Sequence, residues 1–498
     1  MKFRYIAILL AAAFALTSAC SGQKAQIPAP PQQIREAGVA GSFYPADAKQ
    51  LTEMVDGFLA KATVPDIKDP LIALISPHAG YPYSGGVAAY SYALLKGRKF
   101  SRVVIIAPSH YEAFDFASVY DGDAYATPLG RIPVDKEFAR KLAASPALKL
   151  SSRGHIPTQE HSEHSLEVQL PFLQRTLGDF KLVPVIMGEQ DYESSRAVGV
   201  ALAKLIGNSS DTLIIASSDL SHYHPYDEAV VLDHKALNAI TSWDYLSASR
   251  NFERRVWEAC GGAPIVAAMI AAERLGANDA RLLKYANSGD VTGDRSRVVG
   301  YGAVALVRAA KLKPENTTYS LTGPEREALL KIARSSTESA VREKKLYEAP
   351  VPLLPALTEE RGAFVTLTEH GQLRGCIGYT APATPLYLTV RDVAAFAAER
   401  DPRFNPVSPP ELDKLEYEIS VLSPMRRVTD IGQIQVGQHG LLMRNDEHEG
   451  LLLPQVPGEF GWDRGAFLAA TCEKAGMEKN CWQSEDTDIF MFTALVFR

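Results

Sequence analysis

The chain has 498 residues, of which 46% are hydrophobic and 22% are charged, and this composition is ordinary for globular proteins. The length allows about two to four domains. The formal net charge is −6, with 52 Lys and Arg against 58 Asp and Glu. Because the sequence lacks the basic excess that is typical of nucleic-acid binders, we expect no nucleic-acid partner.

The amino terminus has the pattern of an export signal. Lys2 and Arg4 precede an apolar run that is too short to span a bilayer, and small residues lead up to Cys20. Small residues ending at a Cys resemble a bacterial lipobox. We therefore predict a lipoprotein signal peptide over residues 1–19, lipidation of Cys20 and a Pro- and Gln-rich tether over residues 20–36. The expected location is the periplasmic side of the cell envelope, with the membrane reached through the lipid anchor. A plain signal peptide is the alternative.

Residues 37–310 are predicted to form an α/β domain, a sheet flanked by helices. Short runs rich in Val and Ile alternate with helical stretches, and uninterrupted apolar runs are typical of strands that are buried on both faces. The predicted strands are Leu71–Ile75, Arg102–Ala107, Lys181–Met187, Thr212–Ala216 and Val298–Val307. The predicted helices between them are Glu137–Ala144 and Ser195–Ile206.

Three of these predicted strands run into residues that bind metals or move protons. His78 follows the first strand, His110 follows the second, and Asp219 and His222 follow the fourth. Ligands in open α/β sheets gather at the carboxyl ends of the strands, so we expect these side chains to meet at one site. Imidazoles suit iron, copper and zinc, and two His with one anionic ligand leave positions open for water, oxygen or substrate.

The residues alone leave the anionic ligand open among four candidates, which are Asp219, Glu163, Glu167 and Cys260. Cys260 is followed by glycines and a predicted helix. Because a helix amino terminus lowers the pKa of a nearby thiol, we expect Cys260 to favour the thiolate form.

The polar residues 311–322 contain a Pro and are predicted to link the first domain to a smaller α+β domain over residues 323–498. The predicted helices of the second domain are Pro324–Lys345 and Leu386–Glu399. Its predicted strands are Gly362–Leu367, Tyr417–Leu422 and Ile489–Val496.

The five cysteines follow no zinc-ribbon spacing, and a chain with large cores does not need a disulfide framework. We therefore expect free thiols. A bridge between Cys472 and Cys481 in an oxidising compartment is the less favoured alternative.

Six motifs of the first domain occur in an order that resembles the Memo family, also called AmmeMemoRadiSam system protein B. The motifs are Ala40–Tyr44, Pro77–Tyr81, Pro108–His110, Glu163–Glu167, Ser217–His222 and Cys260–Gly261. The resemblance covers about residues 37–310. The fold of this family is similar to that of the LigB-type extradiol dioxygenases, which use non-haem Fe(II).

The resemblance implies roles for several residues. It implies a metal held by His78, His110 and Cys260, with Fe(II) as the first expectation, copper as the second and zinc as the third. Asp219 and His222 would line the same pocket as catalytic groups, with His222 as the general base. Around the ligands, the expected supporting residues are His164 and Glu167. A radical-SAM protein is the implied partner, although such enzymes are cytosolic and this chain is predicted to be exported.

The second domain resembles AmmeMemoRadiSam system protein A, an AMMECR-type domain, over about residues 323–498. The motifs that carry the resemblance are Leu373–Tyr379, Arg400–Phe404, Leu453–Val456 and Gly461-Trp462. This family has no agreed reaction. The residues themselves suggest a small polar or thiolate site formed by Arg374 and Cys376.

Three functions follow from these patterns. The first is a metal-dependent redox enzyme of the dioxygenase kind, the second is a metal-handling lipoprotein without turnover, and the third is a scaffold. A serine hydrolase built on Ser218, Asp219 and His222 is disfavoured, because the sequence has no G-x-S-x-G elbow and residues so close in sequence rarely adopt triad geometry.

Overall fold

The structure is a computed structural model, and it describes residues 32–157, 161–310, 319–381 and 383–498. The predicted signal peptide, Cys20 and most of the predicted tether lie outside the described residues, as does most of the predicted linker. In the part of the chain that the structure describes, no helix is both long enough and apolar enough to cross a membrane.

The first domain contains all five predicted strands and both predicted helices, with small shifts at their ends. Its strands are β1 Ile34–Arg35, β2 Leu71–Ser76, β3 Arg102–Pro108, β4 Ala117–Val119, β5 Ala124–Thr127, β6 Gly130–Pro133, β7 Leu148–Leu150, β8 Lys181–Met187, β9 Thr212–Ser217, β10 His222–His224, β11 Asp279–Asn287 and β12 Val298–Val307. Its helices are α1 Ala48–Lys61, α2 Tyr81–Ala93, α3 Lys136–Leu142, α4 Leu170–Thr176, α5 Tyr192–Ile206, α6 Tyr226–Thr241, α7 Tyr245–Glu253, α8 Gly262–Arg274 and α9 Ser288–Thr292.

Nine strands form the main sheet in the order β10-β12-β2-β9-β3-β8-β4-β7, with β11 on the other edge of β12. The central strands β2, β9, β3 and β8 are mutually parallel. Neighbouring residues of one strand enter different hydrophobic clusters, as Ile105 and Ile106 do. This burial on both faces explains why the strands are continuous apolar runs in the sequence.

The tether predicted over residues 20–36 extends too far. Ile34–Arg35 form β1, which pairs in parallel with β5, and Arg35 is almost completely buried. The buried Arg35 has a carboxylate partner in Glu167, which a sequence pattern based on Pro and Gln content does not reveal.

The second domain consists of two four-stranded sheets and five helices. One sheet has the order β14-β13-β15-β20 and the other has the order β16-β19-β17-β18. The strands are β13 Ala363–Glu369, β14 Gln372–Tyr379, β15 Leu415–Leu422, β16 Arg426–Arg427, β17 Gly440–Arg444, β18 Glu449–Leu452, β19 Asp488–Phe492 and β20 Ala494–Phe497. The helices are α10 Gly323–Glu343, α11 Pro355–Thr358, α12 Leu386–Glu399, α13 Val456–Phe460 and α14 Arg464–Lys474.

The single strand predicted over Ile489–Val496 is wrong, because the chain changes sheets at Thr493. The segment before it, β19, pairs with β17, while β20 after it pairs with β15 of the other sheet. Ser423 holds the crossing point: its N–H donates to the Thr493 carbonyl at 2.9 Å, and its hydroxyl accepts from the Thr493 N–H at 2.9 Å.

The expectation of free thiols is wrong for two of the cysteines. Cys472 near the end of α14 is bonded to Cys481, and the Cα atoms are 5.8 Å apart, which is an ordinary separation for a disulfide. Cys260 and Cys376 are free thiols. The bridge closes a short loop that the sequence spacing alone could not distinguish from two buried thiols.

The two domains share a core and a buried ion cluster. Residues of the second domain, among them Leu442 and Phe490, pack in the same hydrophobic cluster as α5 and α8. At this interface Asp488 accepts from Arg196 Nε at 2.6 Å and from Arg274 Nη2 at 2.7 Å. One buried carboxylate of the second domain therefore bridges two guanidinium groups of the first.

We predict that Asp488→Ala destabilises the docked chain by about 3–5 kcal/mol, because it leaves Arg196 and Arg274 buried without their carboxylate. The measurement is the free energy of unfolding from urea titration of the chain without its signal peptide. The control is Asp486→Ala, whose side chain is exposed in the same loop. Equal stability of the two variants would contradict the importance of the Asp488 cluster.

Candidate metal centre

His78 lies two residues beyond the end of β2, and its side chain is buried. The hydroxyl of Ser217, the last residue of β9, donates to the Ser165 carbonyl at 2.5 Å. Because this uses its only proton, Ser217 Oγ accepts from His78 Nδ1 at 2.9 Å. The proton of the neutral ring is therefore on Nδ1, and Nε2 presents a lone pair.

His110 lies two residues beyond the end of β3, and a carboxylate orients its ring. Glu163 Oε1 accepts from His110 Nδ1 at 2.9 Å, and Glu163 Oε2 accepts from the His110 backbone N–H at 2.6 Å. Burial tends to raise the pKa of Glu163, but the hydrogen bonds from His110 outweigh this effect and hold the pKa well below its usual range. The ionised Glu163 leaves His110 Nε2 available as a ligand atom.

His164 completes a cluster of three imidazoles. Its ring stacks on His110 with a centroid distance of 4.7 Å and meets His78 edge-on at 5.4 Å. One ring nitrogen of each of the three residues lies within 4.8 Å of the others. His164 Nδ1 is buried and has no hydrogen-bond partner among the described residues, and it lies 3.6 Å from Glu163 Oε1.

The imidazoles of His78 and His164 favour the neutral form. Burial, together with the neighbouring imidazoles, lowers the pKa of His164 to about 3. Burial and repulsion from His110 also lower the pKa of His78 well below its usual value. Neutral imidazole is the form that binds metal ions.

Cys260 lies beside the imidazole cluster, two residues before α8. Its Sγ is 3.0 Å from His78 Nε2 and accepts from the Asp219 N–H at 3.2 Å. The next residue must be Gly261, because a Cβ there would lie 2.3 Å from the Ser217 carbonyl oxygen. The expected lowering of the thiol pKa by α8 is wrong: burial, with a contribution from the Asp219 carboxylate, raises the pKa of Cys260. The thiol therefore keeps its proton unless a cation replaces it.

Asp219 and His222 follow β9 as predicted, and each side chain has its own backbone partners. Asp219 Oδ1 accepts from the backbone N–H groups of His78 at 2.7 Å and Ala79 at 3.3 Å, so it braces the turn that carries His78. Burial raises the pKa of Asp219. His222 Nδ1 donates to the Leu220 carbonyl at 2.9 Å, which leaves Nε2 as the atom that can exchange a proton.

Glu167 was expected beside the metal ligands, but its carboxylate binds the amino-terminal segment of the domain instead. Its buried carboxylate pairs with Arg35 and accepts from the Tyr44 hydroxyl and from the backbone N–H groups of Gly38 and Val39. Arg35 also donates to the Glu163 carbonyl at 2.7 Å. Glu167 thus fixes the amino-terminal segment against the loop that carries the third imidazole.

The structure separates the two residues proposed as a site in the second domain. Thr368 pairs with Leu373 and Leu367 pairs with Gly375, so Arg374 is the extra residue of a β-bulge. Its guanidinium turns to Glu411, with Nε 2.7 Å from Oε1. Cys376 lies on the opposite face and accepts from Thr366 Oγ1 at 3.2 Å. Without the bulge, side chains would alternate strictly along the strand, and Arg374 and Cys376 would lie on the same face.

His164, predicted as a supporting residue, lies within the imidazole cluster itself. The sequence signal for His164 is its position directly after Glu163. Glu163 Oε1 accepts from His110 Nδ1 and from the backbone N–H of His164, so the residue that follows Glu163 in the chain also lies beside His110. Ser217 was also missed, since a Ser at a strand end carries no distinctive pattern.

Two family models match the chain. One, described as Memo-like protein, matches residues 35–305, and the other, described as AMMECR1, matches residues 330–497. A MEMO1 family protein of Methanopyrus kandleri is 38% identical over 284 residues, which cover 55% of this chain and 99% of the relative. A MEMO1 family protein of Aeropyrum pernix is 39% identical over 286 residues, which cover 55% of this chain and 100% of the relative. The crystal structure of the uncharacterized protein PH0010 of Pyrococcus horikoshii is 41% identical and covers 34% of this chain and 88% of that one, with a TM-score of 0.33.

We predict that Glu167→Ala lowers the free energy of unfolding by about 3–5 kcal/mol, because it leaves Arg35 buried without its carboxylate. Urea unfolding of the chain without its signal peptide measures the effect. Glu36→Ala is the matched control, since Glu36 is an exposed carboxylate of the same segment. A variant as stable as this control would show that the Arg35–Glu167 pair does not hold the segment.

Proposed function

The chain belongs to the Memo family through residues 35–305 and carries an AMMECR1 domain behind it, and from this premise we propose that the first domain binds a metal ion through His78, His110 and Cys260. The observation that carries the proposal is the convergence of three imidazoles within 4.8 Å, with the Cys260 thiol against one of them. The proposed ligand atoms of His78 and His110 are the Nε2 nitrogens. Ser217 holds Nδ1 of His78, and Glu163 holds Nδ1 of His110.

We include His164 in the proposed ligand set. Its buried Nδ1 lacks a hydrogen-bond partner among the described residues, and an unsatisfied buried polar atom costs about 1–3 kcal/mol. A metal ion within reach of the cluster would remove this cost. Asp219 and Glu163 would then support the ligands instead of binding the ion, because their oxygens are already engaged by backbone N–H groups and by His110.

The donor set also bears on which metal is bound. Imidazoles suit iron, copper and zinc, and a thiolate favours softer ions over magnesium or calcium. On the resemblance to Fe(II) dioxygenases we propose iron first, copper second and zinc third.

The more specific proposal is a redox or dioxygenase-like enzyme. A bound iron or copper ion would supply activation of oxygen or of a coordinated substrate. In this chain His222 would move a proton through Nε2, since its Nδ1 is committed to the Leu220 carbonyl. Asp219 would hold the His78 turn in place. The alternative is a metal-handling or scaffold lipoprotein with the same ligands and no turnover.

We predict about one metal ion per wild-type chain after anaerobic purification, measured by elemental analysis of the chain without its signal peptide. His78→Ala and Cys260→Ala are expected to lose the ion, because each removes a proposed ligand. Glu163→Gln is expected to weaken binding about 10–100-fold, because it removes the partner that orients His110. His234→Ala is the control, as His234 is an exposed histidine outside the cluster.

A wild-type chain that stays free of metal after reconstitution with iron, copper and zinc would rule out the proposed metal centre. Equal metal content in wild type, His78→Ala and Cys260→Ala would place the ion elsewhere. The metal-loaded chain can then be tested for oxygen consumption in the presence of a catechol. Consumption by the wild type that is lost in His222→Ala would favour the enzyme. No consumption by the wild type would favour metal handling.

We also propose that the chain is an exported lipoprotein anchored through Cys20. Besides the amino-terminal pattern, the Cys472–Cys481 disulfide supports export, because disulfides persist in oxidising compartments. The radical-SAM partnership that the family name suggests would require the cytosol, so the location of the chain decides whether that partnership is open to it.

We predict that Cys20→Ala abolishes labelling of the protein by palmitate in a bacterial host, because the acylated thiol is lost. Ser21→Ala is the control and should behave as wild type. Palmitate labelling that persists in Cys20→Ala would contradict the lipid anchor. A wild-type chain found in the cytosol would favour the radical-SAM partnership.

A further inference from the structure

A cavity of about 750 Å³ lies in the second domain, on the face of the β14-β13-β15 sheet that is opposite to the hydrophobic core under α10 and α12. Thr366, Thr368 and Cys376 line it from the sheet. Leu451 and Gln455 line it from β18 and the turn before α13. The volume is in the range of cavities that bind small molecules.

One part of the cavity wall is apolar. Phe364 and Leu373 come from the sheet, and Leu453 and Val456 come from the segment that follows β18. The bulge at Arg374 contributes to this surface, because it brings Leu373 and Cys376 to one face of the strand. A ligand of this cavity would therefore have an apolar body.

One end of the cavity has an excess of positive charge. Beside Cys376, the Arg403 guanidinium pairs with Asp401 and also donates to the Cys376 carbonyl at 3.1 Å. Lys474 lines the same cavity and forms no ion pair with the residues that the structure describes. Two cations therefore face one carboxylate at this end. The Cys376 thiol adds no negative charge, since burial raises its pKa.

The remaining charged residues of the lining are three carboxylates and two guanidinium groups, those of Glu416, Glu418, Glu459, Arg334 and Arg498, so this part of the wall has no excess of positive charge. Glu416 and Glu418 lie along β15, and Glu418 pairs with Arg498 at 2.8 Å. Gln455 Nε2 donates to Glu418 at 3.0 Å, so this wall is tied together by its own contacts. The Cys376 end is therefore the place where an anionic group would be stabilised.

We propose that this cavity binds a small molecule with an apolar body and one anionic group, the anion lying at the Cys376 end within reach of Lys474 and Arg403. The site differs from the metal centre, which is built from the first domain. It also differs from the Arg374–Cys376 pair expected from the sequence. Arg374 is turned to Glu411, and the cations near Cys376 are those of Arg403 and Lys474.

The test uses two fluorescent probes with the chain that lacks only its signal peptide. The anionic probe is 8-anilinonaphthalene-1-sulfonate, and the uncharged probe is N-phenyl-1-naphthylamine, which has a similar apolar body and no sulfonate. We expect saturable binding of the anionic probe at one site per chain. Lys474→Gln should weaken its affinity about three- to fivefold, because one exposed charge contact is lost.

The matched control is Lys479→Gln, an exposed lysine that follows the same helix and lies outside the cavity lining, and it should bind the anionic probe as wild type does. The uncharged probe should bind wild type and Lys474→Gln equally. Thr366→Phe, which fills the cavity next to Cys376, should abolish binding of both probes, with a melting curve recorded to show that the variant is folded.

Three results would overturn the proposal. They are no saturable binding of the anionic probe, equal affinity of that probe for wild type and Lys474→Gln, and wild-type binding by a folded Thr366→Phe variant. If Thr366→Phe does not fold, the two lysine variants decide the question, because both change only exposed side chains.

Discussion

Parallel pairing of β2, β9 and β3 brings together the turns that carry His78, His110 and Asp219 in the candidate metal centre. Parallel strands end at the same edge of a sheet, so the turns after Ser76, Pro108 and Ser217 lie side by side. The hydrogen bond from His78 Nδ1 to Ser217 Oγ crosses between two of these ends. Asp219 makes a second crossing through the His78 N–H. His78 is thus oriented by contacts between strand ends before any ligand binds, whereas His164 and Cys260 come from segments outside these strands.

Much of this arrangement could be predicted from the sequence, because a polar residue after an apolar strand has few places to go in an α/β fold. The prediction failed where the backbone departs from regular alternation. The bulge at Arg374 turns its guanidinium away from Cys376, and the crossing at Thr493 divides one apolar run between two sheets. His164 lies on a loop held by Arg35, a residue 129 positions away in sequence, and no local pattern encodes such a contact.

The electrostatics of the cluster explain why a cation suits it. Burial lowers the pKa of His78 and His164 and raises that of Cys260, so these two imidazoles are neutral and the thiol keeps its proton. Hydrogen bonds stabilise the negative charge of Glu163 next to this group. Three ring nitrogens within 4.8 Å of one another, next to this carboxylate, form a place where a divalent cation would be stabilised.

Helix α8 connects this centre to the second domain. Cys260 precedes its first turn, while Glu273 and Arg274 stand in its last turn, about 20 Å away along the helix axis. Arg274 pairs with Asp488, and Glu273 lies 3.3 Å from Arg427, both partners belonging to the second domain. Close-packed interiors transmit strain, and the ion cluster that docks the second domain lies at the opposite end of the helix that follows the Cys260 turn. The second domain therefore supports one wall of the candidate site without contributing a residue to it.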